Sequence, residues 1–180
     1  MTRDTLFDLP AAGGVLAGAA ISPCGTYRYT LDRVWDTSLP RALFIMLNPS
    51  TADASEDDPT IRRCRSFATR EGCGGLTVVN LYALRSTNPD ALATHPNPVG
   101  PDNDLHIALA LDQRPAKVIA AWGAHLFAKT RATAVARTLA AHGGRLECLG
   151  LTKAGDPRHP LYVRGDAPLI PLPTADAPRR

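Results

Sequence analysis

Ala42-Leu43-Phe44-Ile45-Met46-Leu47 is an unbroken apolar run, followed at once by Asn48-Pro49-Ser50-Thr51. Such a run is short for a helix and has no polar face, so it reads as a strand covered on both sides. Covering both sides takes helices above and below the sheet. Downstream, Asp58-Pro59 pairs a capping carboxylate with a first-turn proline. The helix it starts is expected to run to about Arg70 and to close at Gly72. Leu76 to Leu81 is a second buried strand, Lys117 to Trp122 a third and Leu146 to Leu149 a fourth. Asn88-Pro89 is another helix start, cut short by Pro96, Pro98 and Pro101. Asp102 to Asp112 reads as a short helix, and Ala124 to Ala141 as a longer one stopped by Gly143-Gly144. Strands separated by helices pair in parallel. The expected fold class is therefore α/β: a three-layer sandwich with a central, mostly parallel four-stranded sheet.

Upstream of the first strand, Tyr27 to Leu31 alternates apolar and polar residues, the pattern of a strand or hairpin arm ending before Pro40. Residues 1–22 are rich in Gly and Ala and are expected to pack loosely. Residues 23–165 read as a single α/β domain and residues 166–180 as a Pro-rich tail.

The 180 residues are 44% hydrophobic and 21% charged, which suits one domain with a real core and argues against wholesale disorder. No apolar run approaches the roughly 18 residues of a membrane span. Asp4 and Asp8 precede Ala11–Ile21 where an export signal carries cations. The sequence reads as cytoplasmic, with no membrane partner. The net charge of +3 is unevenly spread: residues 1–60 hold four Lys/Arg against eight Asp/Glu, and residues 61–180 hold sixteen against nine. Arg62, Arg63, Arg65 and Arg70 cluster, which suits a partner bearing phosphate. Cys24, Cys64, Cys73 and Cys148 lack the paired spacing of a zinc or redox motif. They read as free thiols rather than an iron–sulfur site, so no metal and no cofactor is expected.

In doubly wound sheets ligands bind beyond the carboxyl ends of the strands. Those ends carry Asn48-Pro49-Ser50, Asn80-Leu81-Tyr82, Trp122-Gly123 and, after the fourth strand, Arg158-His159-Pro160. Asn48 suits a turn as well as a site. Asn80 is more telling, because an amide inside Val78-Val79-Asn80-Leu81 must find partners or incur roughly 1–3 kcal/mol. Two asparagines, a Trp-Gly and a His-Pro are thus expected on one rim.

That ordered set resembles the uracil-DNA glycosylase superfamily, over about Leu43 to Tyr162. The resemblance rests on four short motifs: an Asn-Pro after one strand, an Asn ending a second, Val118-Ile119-Ala120-Ala121-Trp122-Gly123-Ala124, and a late His-Pro. Tyr27-Arg28-Tyr29 with Trp35, Met46 to Asp53, Asp57-Asp58-Pro59-Thr60, Asn80-Leu81-Tyr82-Ala83 and His159-Pro160-Leu161-Tyr162 are similar, over nearly the whole chain, to domain-of-unknown-function family 1643.

The glycosylase resemblance implies a glycosylase-like protein that recognises a nucleobase and hydrolyses an N-glycosidic bond in DNA or a nucleotide-like molecule. Asn48 would place the water, Asn80 would pair with the base edge, and His159 would donate to a base oxygen as negative charge grows there. Pro49, Ser50, Tyr82, Phe67 and Trp122 would line the ligand site, with Phe67 alternatively in the core. Arg158, Leu161 and Tyr162 would touch nucleic acid, Leu161 or Tyr162 filling the gap left by a flipped base. Because position 48 is Asn, it can orient a water but cannot take its proton. Asp53, with Asp57 or Asp58 as alternatives, is the expected base. The late motif lacks the Ser-Pro-Leu-Ser extension of the active enzymes, and Met46-Leu47 stands where they have a Gly. Two alternatives follow: a non-catalytic nucleobase or nucleic-acid binding module, and a base-modification enzyme. The partner is nucleic acid or a nucleotide-like small molecule. The oligomeric state is left open.

Overall fold

Ala42, Leu43, Phe44, Ile45 and Met46 are all buried, and their side chains divide alternately between two cores. Leu43 and Ile45 enter one; Ala42, Phe44 and Met46 enter the other. This is the both-faces burial of a central strand. The computed structural model describes residues 14–50 and 57–173.

The elements follow in the order β1 (Leu16–Ile21), β2 (Arg28–Val34), β3 (Arg41–Met46), α1 (Pro59–Arg70), β4 (Gly75–Asn80), α2 (Ala91–Thr94), α3 (Asn103–Asp112), β5 (Lys117–Ala120), α4 (Ala128–Ala141) and β6 (Glu147–Cys148). A 3₁₀ turn at Pro160–Tyr162 and β7 (Ile170–Pro171) complete the described chain. The fold is mixed α/β. Its strands form one sheet in the order β1-β2-β4-β3-β5-β6-β7. The pairs β3–β4, β3–β5 and β5–β6 are parallel; β1–β2, β2–β4 and β6–β7 are antiparallel.

Four strands are too few, and the sheet is mixed. Of the three further strands, β2 is the arm expected upstream of the first buried strand, and β1 and β7 come from the two ends of the described chain. Leu16–Ile21, placed by the sequence in a loosely packed segment, pairs along β2 as an edge strand. Its Ala17-Gly18-Ala19-Ala20 centre shows no alternation of apolar and polar residues, but its backbone groups still satisfy those of β2. Ile170–Pro171, expected in the Pro-rich tail, adds to β6, and Leu172 N–H donates to Leu146 C=O at 2.8 Å.

α1 lies on one face of the sheet and α2, α3 and α4 on the other. Ile61, Cys64, Phe67 and Ala68 form the buried stripe of α1. Asp58 Oδ1 accepts from Ile61 N–H at 2.8 Å to cap its start. At its end Gly72 sits at φ +77°, and Cys73 N–H reaches Ala68 C=O at 2.9 Å, closing a Schellman motif. α4 begins at Ala128, four residues later than expected, after the loop of Gly123 to Phe127. Among the described residues no helix is long and apolar enough to cross a membrane.

Candidate functional site

Asn80 ends β4 opposite Met46 in the parallel register. It shares the alternation of Leu76 and Val78, whose side chains face α1. Asn80 is 4% exposed, and its side-chain amide makes no hydrogen bond among the described residues. Its carbonyl, by contrast, is clamped: Asn103 Nδ2 donates to Asn80 O at 3.0 Å and to Leu81 O at 3.2 Å. Asn103, fully buried at the start of α3, thereby fixes the strand end from the opposite face. No spacing signal in the sequence marks it.

Asn48 stands one turn beyond β3. Its Nδ2 donates to Ser86 O at 2.9 Å and to Pro49 O at 3.2 Å. Ser86 N–H returns a bond to Pro49 O at 2.9 Å. The NH2 group therefore fastens two loops together, and Oδ1, an acceptor, is the end left for other chemistry. Pro49 is buried and Ser50 half-buried in the same turn. Asp53 lies outside the described residues.

His159 approaches from the late loop. A Cβ on Gly123 would stand 3.7 Å from the His159 Cβ, so the Trp-Gly turn and the His-Pro turn are adjacent. Its Nδ1 accepts from Leu161 N–H at 3.3 Å, which places the ring proton on Nε2. Burial pushes its pKa below the usual value, while Asp58 pulls it the other way. The ring is thus a neutral donor near the start of α1.

Asp58 is a common neighbour. Besides capping α1 it acts on His159, on Cys64 and on Arg28. Arg28 is 7% exposed, and its Nε is enclosed without a hydrogen-bond partner. Arg33, 1% exposed, binds Asp57 through Nε at 2.7 Å and the Asp32 carbonyl through Nη1 at 2.8 Å. Arg28 points to this side because the β1–β2 register shifts between Ala20 and Ile21. The shift sets Tyr29 onto the α3 side, where its ring stacks on His106 at 4.6 Å, and leaves Arg28 beside Arg33 and Arg85. Asn80 and Arg28 thus face the α1 side of the strand ends, Arg28 and His159 both feel the Asp58 charge at the first turn of α1, and Asn48 holds the loop that follows β3.

Three expected site residues lie elsewhere. Phe67 is 1% exposed in the α1-side core, with the Arg63 and Arg70 guanidiniums 4.9 and 5.1 Å from its ring centre. It is two turns along α1 from Asp58, so it is not an open stacking platform. Trp122 follows the alternation of Val118 and Ala120 into the opposite core. Tyr82 packs there too, its hydroxyl donating to Phe127 O at 2.8 Å, because the chain bends after Asn80. Arg158 Nε donates to Leu151 O at 3.0 Å, and Leu161 and Tyr162 stand 41% and 76% exposed beside His159.

The basic cluster on α1 is mostly committed. Arg63 donates to Val163 O, Arg70 to Gly165 O and Arg62 to Asp57 O, and Arg65 lies over the Trp35 ring. These arginines tie the late loop and the β2 end to α1. Cys64, Cys73 and Cys148 are buried free thiols, Cys24 is an exposed one, and no metal-ligating cluster occurs among the described residues.

The DUF1643 family, whose members are described as proteins of unknown function, matches residues 28–161. The chain belongs to that family. The match begins at Arg28 and ends at Leu161, so the site just described falls inside it. No curated protein and no solved structure matches this DUF1643 chain.

Proposed function

We propose that this DUF1643 member recognises a nucleobase at the α1 side of the strand ends and cleaves an N-glycosidic bond there, in the manner of the glycosylases it resembles. The observation that carries the reading is Asn80: a buried amide, its backbone clamped by Asn103, whose side chain has no described partner. An amide held in place by its backbone and not spent on the protein is free to bond a ligand, and a base edge offers the matching donor and acceptor. His159 Nε2–H is the second recognition group, placed to steady negative charge on a departing base. Asn48 Oδ1 orients the water, its direction set by the two bonds of its NH2 group. Asp57 is paired with Arg33 and Asp58 caps α1, so Asp53 is the proposed general base.

Base release from free nucleosides, nucleotides and modified-base duplexes tests this directly. We expect release from at least one of them, reduced at least tenfold by Asn80→Ala and by Asn48→Ala. Since Asn80 gives its amide to no described residue, Asn80→Ala should change stability by less than about 1 kcal/mol. Absence of release and of nucleoside binding overturns the reading. Binding without release leaves the module alternative. A duplex substrate is a second reading, favoured by the exposure of Leu161 and Tyr162 next to His159.

A further inference from the structure

Arg28 is a buried cation with no ion pair among the described residues, the pairs that do form being those of Arg33, Arg41, Arg70, Lys117, Arg131, His142 and Arg164. Guanidinium does not deprotonate in proteins, so burial cannot be relieved by losing the charge. An uncompensated buried ion is strongly unfavourable. The charges facing Arg28 make the imbalance worse. Among the described residues, Arg85 and Arg33 oppose its charge and Asp58 favours it. The Asp58 carboxylate already accepts the Ile61 N–H, and Asp57 is engaged by Arg33.

The placement is built by backbone pairing. Arg28 N–H donates to Ala83 O and Arg85 N–H to Thr26 O, both at 3.0 Å, around the Tyr27–Leu84 bridge. Arg85 is steadied by a bond from Nη1 to Gly25 O at 2.9 Å. The Arg28 guanidinium is thus held at the sheet end, where it feels the Asp58 charge at the first turn of α1. In that turn Pro59 has no N–H, and the Ile61 and Arg62 amides bond to Asp58. The Thr60 amide remains as the helix's own donor.

We propose that Arg28, with the Thr60 amide, forms a subsite for the phosphate ester of a nucleotide-like ligand. Its identity as a nucleotide rests on the nucleobase reading above. A planar guanidinium fork and a backbone donor suit a phosphate, with its several oxygens and up to two charges. Ala83, the residue paired with Arg28, is three residues from Asn80, at most about 11 Å along an extended chain. One ligand can therefore place its base at Asn80 and its phosphate at Arg28.

The test measures binding to the full chain of inorganic phosphate, nucleoside 5′-monophosphates, the matching nucleosides and a short single-stranded oligonucleotide. A monophosphate should bind roughly tenfold to hundredfold more tightly than its nucleoside. Arg28→Met should collapse that ratio to near one while the unliganded protein melts no lower than wild type. Arg28 dependence seen with monophosphate and inorganic phosphate assigns a phosphomonoester; seen only with the oligonucleotide, it assigns a backbone diester. If no phosphate-bearing probe shows Arg28-dependent binding, the proposal is overturned. Should Arg28→Met fail to fold, Arg28→Lys keeps the charge but loses the planar fork. It must weaken monophosphate binding at least roughly fivefold, and wild-type affinity in it overturns the proposal. Nucleoside binding that is lost in Asn80→Ala but shows no added phosphate affinity sinks only the subsite. Arg28-dependent phosphate binding without any base dependence sinks only the nucleobase reading.

Discussion

His159 links the proposed chemistry to a proton equilibrium. Its Nδ1 receives the Leu161 N–H, and that bond can exist only while the ring is neutral. Burial disfavours the charged ring, with Asp58 opposing, so the folded pKa lies below the ordinary value of 6.5. In the unfolded chain the ring protonates first as pH falls, so the unfolded state binds more protons in that window. Stability attached to His159 is therefore full above about pH 6.5 and is lost progressively below it. Melting temperatures measured between pH 7 and pH 5 should fall more steeply in wild type than in His159→Gln. The slope should not vanish, because burial also depresses the His106 pKa beneath Tyr29. Superimposable profiles for wild type and His159→Gln would show that the ring titrates as it does in water.

The turn joining β2 to β3 is locked to the residue that precedes β4. Trp35 and Asp36 both donate to Gly74 O, at 2.9 and 2.8 Å, and Gly74 N–H donates to Pro40 O at 2.9 Å. A Cβ on Gly74 would fall 2.0 Å from Asp36 O, a backbone atom with no room to move. Gly74→Ala should therefore cost at least about 2 kcal/mol, read as a lowered urea midpoint. A midpoint within error of wild type would mean that this turn yields freely. Elements whose cause is local are legible in the sequence: the apolar run of β3, the Asp58-Pro59 start of α1 and its Gly72 stop. Elements made by pairing alone are not. β1 offers Gly and Ala, and β7 two residues, with no pattern to read. Asn80 was visible as an amide in an apolar strand, whereas Arg28 passed as the polar member of an alternating strand. Its burial depends on a register shift between β1 and β2, which only the assembled sheet contains. Trp122 was misplaced for a simpler reason, since the parity of Val118 and Ala120 already sends it to the other face.

At the scale of the molecule, charge decides between a small ligand and a duplex. The clustered arginines of α1 suggest a phosphate-tracking surface when read as sequence. In the fold, Arg62, Arg63 and Arg70 hold carbonyls of Asp57, Val163 and Gly165, and Arg65 covers Trp35. A guanidinium bound to a carbonyl keeps its charge but loses freedom to follow a backbone. The buried positive charge with no ion pair among the described residues is instead that of Arg28, at the sheet end. A protein that grips duplex DNA releases about 0.9 counterion per phosphate contacted, so its affinity falls steeply with salt. One that holds a single phosphate releases few. The log–log slope of nucleotide affinity between 50 and 200 mM salt, roughly the range over which such slopes are read, should lie near −1 to −2. A slope steeper than about −4 with a duplex, together with weaker duplex binding when Leu161 and Tyr162 are both replaced by Ala, would favour the duplex reading instead. In that case the exposed pair beside His159 acts as a wedge, and the committed arginines of α1 still contribute as a diffuse field. The two outcomes demand different charges in different places, which makes the salt slope a test of where the ligand sits as well as of what it is.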